Sequence, residues 1–170
     1  MEEPYVHHVR HSGRQSVNVW GCVTRQGLGP LIRLDGRFNA VSYERLLVTE
    51  LVPFILDGPF PDGLFWFQQD PSPIHTARPV RSALEELGIQ FLPWPAKSPD
   101  LNIIENVWGM MKISLGKQAL HNASKDELWE AVKNEWGIMK SRNELIASLY
   151  SSLPRRIEEV VRRRGEMLRY

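Results

Sequence analysis

Hydrophobic positions in the first part of the chain follow strand patterns and then change to helical spacing. "SVNVWGCVT" (16–24) is β-branched and aromatic and predicts a strand. "RQGLG" is a turn signal and "PLIRLDG" (30–36) a second strand, so the pair predicts an antiparallel hairpin. In "NAVSYERLLVTELVPFIL", Val41, Arg45, Leu46, Val48, Thr49 and Val52 recur at helical spacing behind Asn39, a candidate N-cap. "DGPFPDG" ends that helix. "LFWFQQ" (64–69) is a continuous apolar run, the pattern of a strand buried on both faces of a sheet. "HTARPVRSALEEL" predicts a helix closed by Gly88, with Val80, Leu84 and Leu87 on one stripe, and "IQFLPW" (89–94) predicts another strand. Strand, helix and strand within about 30 residues form a βαβ unit with parallel neighbours.

"PAKSPD" is a rigid loop. It leads into "LNIIENVWGMMKISL", an amphipathic helix with Leu101, Ile104, Val107, Trp108, Met111 and Leu115 inward. "SKDE" (124–127) is a capping box opening a helix that buries Leu128, Val132 and Met139, with Trp129 and Trp136 beside them. "LPRRIEEVVRRRGEMLRY" predicts a final charged helix with Ile157, Val160, Val161 and Leu168 as its apolar side. The expected architecture is α/β: a mixed sheet flanked by helices, followed by a helical C-terminal segment. Trp20, Trp66, Trp94, Trp108, Trp129 and Trp136 fall mostly in apolar patterns and are expected in the core.

The 170 residues suit a single domain, and 42% apolar with 24% charged residues describes an ordinary folded chain. The net charge of +1 excludes a global basic field, so nucleic-acid binding would need a local patch. Cys22, the only cysteine, rules out an internal disulfide and argues against a thiolate zinc site. The start carries no signal-peptide apolar core, and "RLLVTELVPFIL" is too short to span a bilayer. An intracellular protein without a membrane partner is the expectation.

Two acids then carry the chemistry. Asp70 stands at the end of a predicted parallel strand, where sites form in open α/β sheets. Glu105 lies in the first turns of a helix whose Asn102, Glu105, Gly109 and Lys112 share one face, opposite the apolar stripe. Phosphodiester hydrolysis uses two divalent cations roughly 3.5–4 Å apart, held by carboxylates from several elements. Equally, an aspartate before proline is a common turn residue, and Glu105 three places after Asn102 fits a capping box. On the residues alone both readings stand.

The motifs add a resemblance. "QQDPSPIHTA", the 34 residues between Asp70 and Glu105, "SPDLNIIENVW" and the preceding "VNVWGCVTRQGLGPLIRLDG" resemble the catalytic domain of Tc-one/mariner superfamily transposases, and the aspartate–34–glutamate spacing resembles the Tc-one branch. The resemblance covers roughly residues 15–117, between an N-terminal segment (1–14) and C-terminal helices (118–170). It implies an RNase H-like fold and an aspartate–aspartate–glutamate triad holding two Mg2+ or Mn2+ ions. That site would cut transposon ends and join them to target DNA in the nucleus. Asp70 would be the second acid and Glu105 the third, with His75 and Asn102 at motif positions nearby and Lys97 and Lys112 as candidate DNA contacts. Lys117 is a candidate of the same kind, near the proposed site in sequence. A homodimer is left open.

The resemblance also sets an expectation of incompleteness. The first acid belongs on a first strand well before the "VWG" hairpin, whereas only 19 residues precede Trp20. Glu2 and Glu3 lie in a polar segment with no strand pattern, and Asp35 reads as a turn residue before Gly36. The first strand, the first catalytic acid and the upstream DNA-binding domains are therefore expected to be missing, and catalysis to be weak or absent. A domesticated, non-catalytic DNA- or protein-binding module is the alternative. Pro71 and Ile103 depart from the family's usual asparagine and proline. His7, His8 and His11 read as a solvated terminus rather than a metal site. Arg155, Arg156, Arg162, Arg163, Arg164 and Arg169 could contact phosphates, but interleaved Glu158, Glu159 and Glu166 favour a solvated helix face.

Overall fold

The computed structural model describes residues 15–92 and 98–163, together with the backbone of 7–10. The described residues fall into two compact units, one comprising 34–92 and the other 7–33 with 98–163.

The second unit is built on a three-stranded sheet in the order β1-β2-β3, from β1 (His7–Arg10), β2 (Ser16–Thr24) and β3 (Gly27–Leu34). β1 runs antiparallel to β2, with His7 opposite Val19 and Arg10 opposite Ser16. This corrects the reading of the N-terminal segment as strandless: an edge strand is held by backbone hydrogen bonds and needs no apolar alternation. The predicted hairpin forms around Arg25 and Gln26. There Thr24 Oγ1 accepts from the Gln26 N–H (3.2 Å) and donates to the Gly27 carbonyl (3.3 Å). Gly27 takes φ +140°, a conformation that favours glycine.

Three helices cover this sheet: α4 (Ile103–Leu115), α5 (Lys125–Lys140) and α6 (Asn143–Arg162). Val17, Val19 and Leu28 pack with Val107, Trp108, Met111, Leu115, Leu128, Val132, Trp136, Met139 and Ile146 in one apolar core. Trp108 stacks on Trp136 with ring centroids 5.2 Å apart, and Trp136 Nε1 donates to the Gly29 carbonyl at 3.1 Å. The glycine of "VWG" is explained by this pair. A Cβ on Gly21 would lie 2.8 Å from Trp136 Cη2 and 3.0 Å from Trp108 Cη2. The predicted capping box is present: Ser124 Oγ accepts from the Glu127 N–H and the Glu127 carboxylate accepts from the Ser124 N–H.

α6 differs from expectation. It begins at Asn143, well before Leu153, and continues through Pro154. Proline is common in a helix's first turn and so invites a start at that point; here Leu145, Ile146, Leu149 and Tyr150 already bind the preceding turns to the core. Its predicted apolar side is not buried, since Ile157 and Val161 are exposed. Leu168, Arg164, Arg169 and Glu166 lie outside the described residues.

The other unit contains α1 (Ala40–Leu46), a π-helical turn (Leu47–Leu51), α2 (Val52–Asp57), β4 (Trp66–Phe67), α3 (Arg78–Glu86) and β5 (Gln90–Phe91). Asn39 caps α1 as expected, its Oδ1 accepting from the Ser42 N–H at 3.0 Å. The wide turn precedes Pro53, whose missing N–H breaks the regular α ladder. The buried stripe is Tyr43, Leu46, Leu47, Leu51 and Ile55, whereas Val41 and Val48 face outward. Val80 and Leu84 bury α3, but Leu87 is exposed at the cap. There the Ile89 N–H reaches the Leu84 carbonyl, the Gly88 N–H reaches that of Glu85, and Gly88 takes φ +68°.

β4 and β5 run parallel, Trp66 opposite Gln90 and Phe67 opposite Phe91, so the βαβ unit is present. Both strands are shorter than the apolar runs suggested. Leu64 and Trp66 are 76% and 64% exposed, which corrects the expectation of a strand buried on both faces and of Trp66 as a core residue. A continuous apolar run reports hydrophobicity, not which face finds a partner. Trp94 lies outside the described residues. Among the described residues no helix is long and apolar enough to cross a membrane.

Candidate active site

Asp70 lies in the loop just beyond the carboxyl end of β4, where the chain leaves the parallel pair. A turn aspartate accepts from a backbone N–H two residues on, as Asp62 does from Leu64 at 3.0 Å. Asp70 does otherwise: its Oδ1 is paired with His75 Nδ1. The Asp70 carbonyl also faces Nδ1, at 3.3 Å. Both oxygens are acceptors, so Nδ1 is the nitrogen that carries the proton.

His75 is 8% exposed, and its ring lies on that of Tyr43 with centroids 4.3 Å apart. The Tyr43 hydroxyl donates to Gln69 Oε1 at 2.8 Å, and Gln69 Nε2 donates to the His75 carbonyl at 3.1 Å. Nearby, Gln68 Nε2 and Ser72 Oγ are buried without a hydrogen-bond partner. The loop around Asp70 is thus polar, internally braced and not fully satisfied, unlike a simple turn.

Glu105 is half-buried in the first turn of α4, with Asn102 at the N-cap. The Asn102 side chain makes no capping hydrogen bond, in contrast to Ser124 on α5, so the capping-box alternative is not realised. Lys112 is exposed. A Cβ on Gly109 would meet nothing within 4 Å, so there is open space on that face. Ile103 occupies the first helical position and is buried, giving up proline's preset φ for apolar burial. Lys97 lies outside the described residues, as do Glu2, Glu3 and His11.

Arg156 is neither a phosphate contact nor part of a solvated face. It is 4% exposed on α6 and donates to the Asp100 carbonyl (2.9 Å), Asn106 Oδ1 (2.9 Å), Ser152 Oγ (3.0 Å) and the Leu149 carbonyl (3.0 Å). It therefore fastens the residues on both sides of the Asn102–Glu105 turn. Arg162 and Arg163 pair with Glu159. Sequence reading missed Arg156, Tyr43 and Gln69 as supports because their partners are remote in sequence. The only trace was an arginine in a run otherwise expected to be solvated.

Among the described residues no three His, Cys, Asp or Glu side chains gather as a metal would require. Each of the two acids is a hard oxygen donor of the kind that suits Mg2+ or Mn2+.

A family model described as "DDE superfamily endonuclease" matches residues 3–128. The chain belongs to that family. It is 35% identical over 162 residues to the Tc1 transposase of Caenorhabditis elegans, covering 95% of this chain and 57% of that protein. To the Tc3 transposase of the same organism it is 30% identical over 169 residues, covering 99% of this chain and 50% of the relative. The chain spans about half the length of these curated relatives. Among solved structures, the Mos1 mariner catalytic domain matches with a TM-score of 0.80 at 23% identity, covering 96% of this chain and 81% of that one. A Mos1 paired-end complex with Mn matches with a TM-score of 0.82 at 23% identity, covering 94% and 47%. The fold of this DDE-family chain is accordingly RNase H-like.

Proposed function

We propose that the chain is the catalytic-domain part of a DNA transposase, with Asp70 and Glu105 as the second and third metal-holding carboxylates. The observation that carries this reading is the way Asp70 is held. Its carboxylate is committed to a buried histidine instead of a backbone turn, at the end of a parallel strand in a chain of the DDE family.

In this reading Asp70 and Glu105 would hold Mg2+ or Mn2+, the ions named with the Mos1 structures. Such ions, when bound, activate the attacking water and stabilise the leaving oxygen of a phosphodiester. His75 orients the Asp70 carboxylate and limits its freedom, as partners of metal ligands commonly do. DNA is the substrate by kinship with the Mos1 paired-end complex with left transposon end, and Lys112 is a candidate for phosphate contact. The setting would be nuclear or otherwise intracellular, and a homodimer is part of the same proposal.

Mn2+ titration of the chain and its Asp70→Ala and Glu105→Ala variants tests the metal reading. Either substitution is expected to weaken binding at least ten-fold; unchanged affinity in both would remove the reading. Nicking of supercoiled DNA in Mn2+ tests catalysis separately. Strong nicking abolished by Glu105→Ala would show that the site is more complete than the described residues indicate. Metal-dependent DNA binding with no nicking would favour the second reading, a non-catalytic DNA- or protein-binding module.

A further inference from the structure

The residues around Asp70 form a closed circuit whose outermost member is a tyrosine on a different element. Tyr43 lies on α1 and is 1% exposed. Its ring supports the His75 imidazole, and its hydroxyl donates to Gln69 Oε1. Gln69 passes the restraint on through Nε2 to the His75 carbonyl, and His75 Nδ1 meets Asp70 Oδ1. A single tyrosine therefore restrains His75 twice, at its ring by stacking and at its backbone through Gln69.

We propose that Tyr43 is a positioning residue for Asp70: through Gln69 it fixes the Asp70–His75 loop, and so fixes where the carboxylate points. The consequence for metal affinity rests on the metal reading above, but the positioning itself does not. The amide has one orientation here. Gln69 must present its oxygen to the tyrosine and its nitrogen to the His75 carbonyl, because a carbonyl cannot donate. Gln69→Glu keeps an acceptor for the hydroxyl and loses the donor to His75. Tyr43→Phe keeps the ring and loses the hydroxyl. The two variants cut the circuit at its two successive hydrogen bonds.

The test uses the full chain with 15N-labelled histidine. In the wild type the Nδ1-bound proton of His75 should give an NMR signal slow to exchange with water. In Tyr43→Phe and in Gln69→Glu that signal should broaden or vanish, while the melting temperature and the far-UV circular dichroism change little. Mn2+ affinity should fall about ten-fold in each, the scale usual for a residue behind a metal ligand, and the double variant should be no worse than the weaker single one. Persistence of the His75 signal in Tyr43→Phe overturns the proposal; if that variant fails to fold, persistence in Gln69→Glu does so. Unchanged Mn2+ affinity in Asp70→Ala would instead remove the metal reading, leaving the tyrosine to be judged on the imidazole signal alone.

Discussion

Replacing Gly21 by alanine puts one methyl group against the stacked indoles. The added Cβ would stand 2.8 Å from Trp136 Cη2 and 3.0 Å from Trp108 Cη2. Carbon atoms reach optimal contact near 3.5–4.0 Å, so each ring must retreat by roughly 0.5–1 Å. Neither retreats easily. Trp136 is tied to the Gly29 carbonyl through Nε1, and Trp108 is 5% exposed and stacked on it. Overpacking of this kind costs about 1–3 kcal/mol. For a chain of this size that lowers the melting temperature by roughly 2–12 °C. Gly137, inside α5, is the control: a Cβ there meets nothing within 4 Å. Gly137→Ala should therefore stabilise by about 0.5–1 kcal/mol through the backbone alone. Thermal melts followed by far-UV circular dichroism compare the two. A Gly21→Ala protein as stable as the wild type would refute the claim that the indole pair requires glycine at this position.

Arg156→Ala should destabilise by about 2–4 kcal/mol in urea unfolding, because the Asp100 and Leu149 carbonyls and Asn106 Oδ1 lose their donor; Arg156→Lys should recover little, since an ammonium cannot span the same fork. Burial pushes the Cys22 thiol up to about 12, opposed by the Lys140 charge and a hydrogen bond to the Gly29 backbone. Modification by a thiol reagent at pH 8 should thus be slow in the folded chain and fast in denaturant. Burial likewise raises the Tyr150 hydroxyl to about 12, helped by the charge of Cys22. Both groups hold protons more tightly when folded, so stability should decline as pH rises from about 9 towards 12, and the decline should be shallower in Cys22→Ala. Hydrogen bonds from the Ser124 backbone and hydroxyl hold the Glu127 carboxyl below its ordinary range, so its contribution is lost only as pH falls through that lowered value. Ser124→Ala should lower the melting temperature by roughly 2–4 °C.

What could be read before folding was whatever depends on neighbours in the chain. The hairpin turn, the Asn39 cap, the Ser124–Glu127 box and the Gly88 stop follow from contacts within a few residues, while the parallel βαβ order follows from the succession of strand, helix and strand; all are present. Asp70 and Glu105 were legible as candidates from the motifs that carry them. Errors arose where the outcome depended on a partner: Trp66 and Val161 are apolar but exposed, and β1 is polar but paired.

By itself, then, the sequence determined the element types and the family and offered two candidate acids, because local hydrogen bonding and motif spacing are encoded residue by residue. Only the tertiary structure decided what those acids touch. It set His75 on Asp70, braced both through Tyr43 and Gln69, and buried Arg156 beside the turn that carries Glu105. The reason is physical. A hydrogen bond between Tyr43 and Gln69, or between Arg156 and Asn106, joins groups 26 or 50 residues apart. Nothing in either local sequence specifies the other; packing brings them together.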